Sequence, residues 1–147
     1  MIKPFMNGRE VRWNDKDLQL KLVRPELPEI EMWVAGYGPK ALAVAGRVGD
    51  GVIIQLADPD IAAWMIAAVR RAASDAGRDP DAIKFCVAAP AYVGEDQAHQ
   101  RDQTRWFGGM VGNHVADIVS RYGADGAGVP RALTDYIEGR KGYDYAE

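Results

Sequence analysis

The residues best suited to chemistry in this sequence would bind an anion, and they lie in the segment Ala35-Gly-Tyr-Gly-Pro-Lys40. The glycines allow close approach to the backbone, and Pro39 has its φ angle preset for the first position of a helix. A helix that begins directly after glycines presents unpaired N–H groups and the positive end of its dipole. The amides of Gly38, Lys40 and Ala41, with the Lys40 ammonium, are therefore predicted to bind a negatively charged group.

The flanking elements would hold this turn at the edge of a sheet. The apolar run Met32 to Ala35 is typical of a strand buried on both faces. The helix after it ends at Gly49, and a second apolar strand follows at Val52 to Leu56. Gln55, at the end of that strand, would lie at the same edge of the sheet and add a hydrogen-bond donor. The inner face of the helix is predicted to be Leu42, Ala45 and Val48. The alternative is that the glycines only make a tight strand-to-helix turn.

A second βα step follows the first. Asp58-Pro-Asp60 combines a helix cap, a proline for the first turn and an acidic residue. Gly77 ends this helix, and Ile83 to Val93 is predicted as a third buried strand. Two successive steps of this kind indicate a parallel sheet. The inner face of the second helix is predicted to be Ile61, Met65, Ala68, Val69, Ala72 and Ala76.

The chain is expected to be one domain with three parts: a lead-in loop (1–27), a βαβαβ core (28–93) and a helical part (94–147). The lead-in loop is predicted to contain a short strand at Leu18 to Val23. In the helical part, Gly108 and Gly109 should break a first helix, and Asn113 should cap a second one that ends at Gly123. The second helix has the apolar stripe Val115, Ile118, Val119 and Tyr122, and a last helix begins at Pro130 with Leu133, Tyr136 and Ile137 inward.

The composition of the chain excludes several classes of function. The chain has 147 residues, 48% of them hydrophobic, and a net charge of −3, so it gives no electrostatic case for nucleic-acid binding. A single cysteine fits a reducing cytoplasm. No apolar run approaches the ~20 residues that span a bilayer. We therefore expect a cytoplasmic protein that binds neither nucleic acid nor membrane.

The histidines and the cysteine have no spacing typical of a metal site. His99 is predicted to be a surface residue, and Cys86 a small core residue. His114 either borders a substrate pocket or packs at a helix start. The pair Trp106 and Phe107 either covers a ligand as a mobile loop or forms an aromatic helix end.

The segments Trp33-Val-Ala-Gly-Tyr-Gly-Pro-Lys-Ala-Leu42 and Gly49-Asp-Gly-Val-Ile53, preceded by Pro25 and Pro28, carry a family resemblance. Over roughly Gly8 to Val93 the chain resembles the C-terminal half of the luciferase-like (LLM class) flavin or deazaflavin oxidoreductases. That family includes the methylenetetrahydromethanopterin reductase-like proteins. The resemblance implies an α/β fold, a partial (β/α)8 TIM barrel, and coenzyme F420 or FMN as the cofactor.

The resemblance also implies which residues meet the cofactor. Ala35, Gly36, Tyr37 and Gly38 would lie along it, its phosphate would enter the turn that ends at Lys40, and Gln55 would donate to the same phosphate. The complete protein would transfer a hydride between the cofactor and a small organic substrate. Such a barrel needs ~250 residues, and only three of eight strands are evident. No catalytic residue is therefore assigned, and either self-association or a missing N-terminal half is expected.

Two alternatives remain open at the level of the sequence. The chain could be a non-catalytic half-barrel that folds by self-association. It could also be an NAD(P)-binding Rossmann-type domain, because Gly36-Tyr-Gly-Pro-Lys-Ala41 satisfies the loose Gly-x-Gly-x-x-Ala pattern. Against the second alternative, the next strand ends in Ile54-Gln-Leu56, without the acidic residue that binds the ribose.

Overall fold

The computed structural model describes residues 1–23, 26–56 and 58–122, together with Arg131, Thr134, Asp135 and Glu138. Its centre is a three-stranded parallel sheet in the order β3-β4-β5. The strands are β3 (Trp33–Ala35), β4 (Gly51–Ile54) and β5 (Lys84–Val87). Helices α2 (Pro39–Val48) and α3 (Pro59–Asp75) connect them. The predicted succession of two βα steps into a parallel sheet is confirmed.

The signals predicted to start and stop the two helices act where the sequence places them. Gly38 is the N-cap of α2, Pro39 is its first residue, and Gly49 is its C-cap. The Asp58 side chain caps α3 by accepting hydrogen bonds from the next two free amides of the helix, both at 3.0 Å. Gly77 follows α3 with a φ of +70°, a conformation that glycine adopts without strain.

The core lies on one face of the sheet. Val52 and Ile54 of β4 are fully buried there, and they pack with residues of α2, α3 and a later helix. The main members of the core are Leu42, Ala45, Leu56, Ile61, Met65, Val69, Ala73 and Ile83. The predicted inner faces of both helices are largely right. Val48 and Ala76 are exceptions, because both are exposed at the last turn of their helices.

The prediction that Met32 to Ala35 is buried on both faces is wrong, and so is the prediction that the third strand is buried. Trp33 and Ala35 are exposed on β3, and three of the four residues of β5 are exposed, including Cys86. Among the described strands, β3 and β5 each pair with β4 alone, and helices cover only one face. The third strand is also shorter than the predicted Ile83 to Val93, and Val93 itself is 96% exposed.

On the bare face of the sheet, an indole lies across a glycine. Trp33, Gly51 and Lys84 are paired in register at the amino ends of the three strands. A Cβ added to Gly51 would lie only 2.4 Å from the Trp33 ring. Trp33 donates to Glu31 at 3.0 Å, and Glu31 also pairs with Lys84. The glycine at this position therefore makes room for the tryptophan.

Helices α2 and α3 pack closely against each other at Gly46. A Cβ at this position would lie 2.4 Å from the carbonyl oxygen of Val69 and 2.8 Å from the Cβ of Ala72. Both distances are shorter than atoms tolerate, and the nearest group is backbone that cannot rotate away. Gly46 therefore allows the two helix backbones to approach each other directly.

Residues 1–23 are more regular than the predicted lead-in loop. Helix α1 (Ile2–Met6) precedes a hairpin of β1 (Val11–Trp13) and β2 (Lys16–Leu18). The predicted strand at Leu18 to Val23 is wrong, because pairing ends at Leu18. Asn14 and Asp15 have φ angles of +46° and +62°. Positive φ angles at both residues are typical of the two-residue turns that match the right-handed twist of hairpin strands.

Asp50 ties this segment to the core at the amino end of the sheet. Its carboxylate accepts from the Lys3 ammonium at 2.5 Å and from the Met32 amide at 2.8 Å. Arg78 donates to the carbonyls of Gly46 and Gly49 at the end of α2. Burial raises the pKa of Asp50, but the hydrogen bonds from Lys3 and Met32 and the charges of Lys3 and Arg78 outweigh it. The net pKa is lowered.

Where the sequence predicts two helices before Gly123, the structure has one long helix. Helix α4 spans Gln97–Tyr122 without a break, so the predictions of an interruption at Gly108 and of a cap at Asn113 are wrong. The stripe is confirmed: Val115 and Ile118 are fully buried, and Val119 and Tyr122 pack against the core. Gly123, Pro130 and the predicted inward residues of the last helix lie outside the described residues.

We expect Gly46→Ala to destabilise the fold by about 1–3 kcal/mol, because the added methyl group forces the α2 and α3 backbones apart. Urea unfolding followed by circular dichroism measures this change. Gly108→Ala is the matched control: it lies inside α4, and its Cβ would meet nothing within 4 Å. That variant should gain up to about 1 kcal/mol from helix propensity. Equal stability of the two variants would contradict the close-packing assignment.

Asp50 should make the stability of the protein depend on acid pH. Because its pKa in the fold is below the ordinary 3.8, its contribution is complete above the unfolded pKa and is lost as pH falls through the folded pKa. In urea titrations between pH 6 and 2.5, Asp50→Asn should be less stable at pH 6 and should lose less stability on acidification. Asp15→Asn, at a fully exposed side chain, should follow the wild-type curve.

Candidate functional site

The predicted anion-binding turn forms the link between β3 and α2. Ala35 ends β3, Gly38 caps α2 with an extended backbone, and no side chain caps the helix there. The Leu42 amide donates to the Gly38 carbonyl at 3.0 Å, which is the first backbone hydrogen bond of the helix. The amides of Lys40 and Ala41 have no hydrogen-bond acceptor among the described residues. They are available to a ligand.

The turn and Gln55 lie at the same end of the sheet, as the sequence predicts. Ala35 pairs with Ile53 in a parallel register, so Gln55 follows two residues later on the neighbouring strand. Gln55 and Lys40 are both exposed. Gly36, Tyr37 and Gly38 are half-buried. The structure thus brings the six predicted residues to one rim, at the carboxyl end of parallel strands, where ligands of α/β proteins bind.

The two glycines of the turn have different surroundings. A Cβ at Gly36 would lie 2.9 Å from the Cβ of Ala41, so glycine is needed there for the chain to fold back onto α2. A Cβ at Gly38 would lie 3.7 Å from the Tyr122 ring, which is ordinary contact. Packing within the fold therefore explains the first glycine, while nothing in the described packing demands the second.

Helix α4 forms one wall of the turn, and sequence reasoning missed this. The Tyr37 ring contacts the His114 ring, with centroids 4.1 Å apart. The Tyr37 hydroxyl donates to Asp117 Oδ2 at 3.4 Å, and Arg121 Nε donates to Asp117 Oδ1 at 2.6 Å. The spacing 114, 117, 121 marks one helix face, but it does not show what that face covers. Of the two alternatives for His114, packing at a helix start is wrong because it lies inside α4.

The elements that form this site carry the cationic side chains Lys40 and Arg121. Lys40 is exposed at the start of α2. The Arg121 side chain is 68% exposed, and its hydrogen bond and ion pair with Asp117 hold its pKa above the ordinary value. The Asp117 carboxylate that accepts from Arg121 also accepts from the Tyr37 hydroxyl of the turn. One carboxylate therefore connects the Arg121 guanidinium to the turn.

The remaining candidates lie elsewhere. Trp106 and Phe107 pack edge to face within α4, with Trp106 62% exposed, so the mobile-loop interpretation is wrong. His99 is exposed and lies 3.1 Å from the Tyr92 hydroxyl. Within the described part of the chain, no three metal-ligating side chains come together. None of the described helices combines the length and the hydrophobicity of a membrane-spanning segment.

Comparison with known proteins identifies the family. The family profile of luciferase-like monooxygenases matches residues 1–144. The chain belongs to this luciferase-like family. The resemblance predicted from the segments around Trp33 and Gly49 is confirmed.

Two mycobacterial relatives illustrate the similarity of this luciferase-like chain. It is 38% identical over 110 residues to the F420-dependent hydroxymycolic acid dehydrogenase of Mycobacterium tuberculosis, covering 72% of the chain and 30% of that protein. It is 36% identical over 99 residues to the phthiodiolone/phenolphthiodiolone dimycocerosates ketoreductase of Mycobacterium sp. (strain JLS), covering 63% and 25%. The chain thus spans about a quarter to a third of these relatives.

A solved structure shows the same fold. The luciferase-like chain superposes on the coenzyme F420-dependent tetrahydromethanopterin reductase from Methanopyrus kandleri with a TM-score of 0.62 and 19% identity, over 84% of the chain and 38% of the reductase. The predicted α/β fold with a parallel sheet and flanking helices is confirmed by this match to a TIM-barrel-type reductase. For the family, the predicted cofactor class, F420 or FMN, agrees with the F420-dependent relatives.

Proposed function

We propose that this chain supplies the cofactor-phosphate turn of a luciferase-like oxidoreductase that uses coenzyme F420 or FMN. The observation that carries the proposal is the start of α2, where the amides of Lys40 and Ala41 are free of acceptors in the described structure beside the exposed Lys40 side chain. This set of donors suits a phosphate, because anions bind to free amides at the positive end of a helix.

The other residues of the rim have supporting roles in the proposal. The Gly38 amide and the Gln55 carboxamide would add donors to the phosphate. Ala35, Gly36 and Tyr37 would lie along the cofactor, since they lead from the strand into the turn. The bound cofactor would carry the hydride to or from a small organic substrate, and the protein would bind and orient it. No residue of this chain is assigned a catalytic role.

The sheet fits a part of a (β/α)8 barrel. Ala35, Ile53 and Cys86 are in register on its bare face, which corresponds to the interior of a closed barrel. Helices cover the opposite face, as they do on the outside of such a barrel. We propose that further strands, from a second copy or from an N-terminal half, complete the sheet at β3 and β5.

A second candidate is a non-catalytic half-barrel that self-associates. It is favoured by large apolar side chains that are exposed in the described structure, including Leu22 (95%), Val93 (96%) and Trp33 (38%). Where such side chains form a contiguous patch, they mark a surface that binds another chain. The dinucleotide alternative has no such support, because Gln55 and Leu56 follow β4 where that fold needs an acidic residue. Cofactor binding separates the first two candidates.

Gly38→Val should weaken binding of FMN at least tenfold and leave binding of riboflavin, which lacks the phosphate, nearly unchanged. The branched side chain would stand beside the free amides and block the anion. Because the Gly38 Cβ position is open to 3.7 Å, the fold should lose only about 1 kcal/mol from the poorer N-cap. Calorimetric titration of the 147-residue chain measures both affinities. Equal loss for FMN and riboflavin would contradict the turn assignment.

Lys40→Ala should weaken FMN binding by a smaller factor, roughly threefold to tenfold at low salt, because an exposed point charge is screened by solvent. The effect should shrink as ionic strength rises to 0.5 M. Lys84→Ala is the control, since Lys84 is an exposed lysine at the opposite end of the sheet. An effect of Lys40→Ala that does not change with salt would exclude the role as a point charge.

A further inference from the structure

We propose that Arg121 of α4 is a second cation of the phosphate site, held at the rim by Asp117. The inference rests on the proposed function of the turn and adds to it a residue from a distant part of the chain. Arg121 follows the turn by more than eighty residues.

Three contacts connect the end of α4 to the turn, and one of them holds Arg121. Tyr122, the next residue, lies 3.7 Å from the Cβ position of Gly38. The Tyr37 hydroxyl, in the turn itself, donates to Asp117 at 3.4 Å. The other oxygen of the same carboxylate accepts from Arg121 Nε at 2.6 Å. The Arg121 guanidinium is therefore one carboxylate away from a residue of the turn.

The way in which Asp117 holds Arg121 leaves the cation usable. The carboxylate engages Nε, and the side chain of Arg121 remains 68% exposed. A guanidinium group has five N–H donors, so its two terminal nitrogens can donate to an anion while Nε stays bound. Asp117, itself one-third exposed, acts as a positioning residue that fixes the orientation of the guanidinium group.

A purely structural role of the Asp117–Arg121 pair predicts a different change in ligand binding. If the pair of Asp117 and Arg121 only fixed α4 against Tyr37, its loss would disturb the turn for every ligand. Binding of FMN and riboflavin would then fall together. A cation at the phosphate site affects only the ligand that carries a phosphate, and its effect depends on salt.

The test compares FMN with riboflavin on the full chain, by fluorescence titration at 20 mM and 500 mM salt. Arg121→Gln should weaken FMN binding about threefold to tenfold at low salt, leave riboflavin binding unchanged, and lose most of its effect at high salt. Arg121→Lys, which keeps the charge, should restore much of the affinity for FMN. Arg105→Gln is the control, because Arg105 forms a similar ion pair with Asp102 about 24 Å earlier along α4.

The outcomes separate the two proposals. If Gly38→Val and Lys40→Ala reduce the preference for FMN over riboflavin while Arg121→Gln does not, Arg121 is not part of the site and the proposed function stands. If none of the three changes that preference, the turn does not bind the phosphate and both proposals fail. An equal fall in both affinities for Arg121→Gln assigns the residue to the packing of α4 and also overturns the inference.

Discussion

The direct approach of α2 and α3 at Gly46 fixes the rest of the fold. No side chain fits between the Gly46 backbone and the Val69 carbonyl, so the two helices lie close together over one face of the sheet. Leu42 and Ala45 on α2 and Met65 on α3 can then reach β4 and close the core. Because α2 is held by this contact and by its buried core residues, its first turn has a fixed position at the carboxyl end of the sheet.

The candidate site depends on that position and on a second, longer-range contact. The start of α2 supplies amides without acceptors in the described structure, and α4 packs against the turn through Tyr37 and Tyr122. Two segments far apart in sequence thus form the two sides of one rim. The packing of α4 by Val115 and Ile118 into the same core as β4 keeps those sides together. The site is therefore a property of the folded core and not of the turn alone.

The sequence predicts local structure well where a single residue determines it. Pro39, Asp58 and Gly77 act at the helix ends that they mark. It fails where the outcome depends on what a segment packs against. The apolar run through Trp33 has the pattern of a buried strand, yet helices cover one of its faces only. The two glycines at 108 and 109 do not end α4, because the buried contacts beyond them outweigh their cost of about 1 kcal/mol each.

The same distinction applies to the rim. The turn was predictable because glycine, proline and lysine act through their own backbone and charge. Asp117 and Arg121 were not, because their spacing shows only that they share a helix face. The contact of that face with Tyr37 spans 80 residues of chain, and only the tertiary fold reveals it.

The indole laid over Gly51 gives the two ends of the sheet different characters. Trp33 and the Glu31–Lys84 pair cover the amino ends of the strands on the bare face, whereas Ala35, Ile53 and Cys86 lie in register towards the other end. If further strands close this sheet into a barrel, as proposed above, Trp33 would fill its interior at the amino ends of the strands. Access to the interior would then be from the carboxyl ends alone.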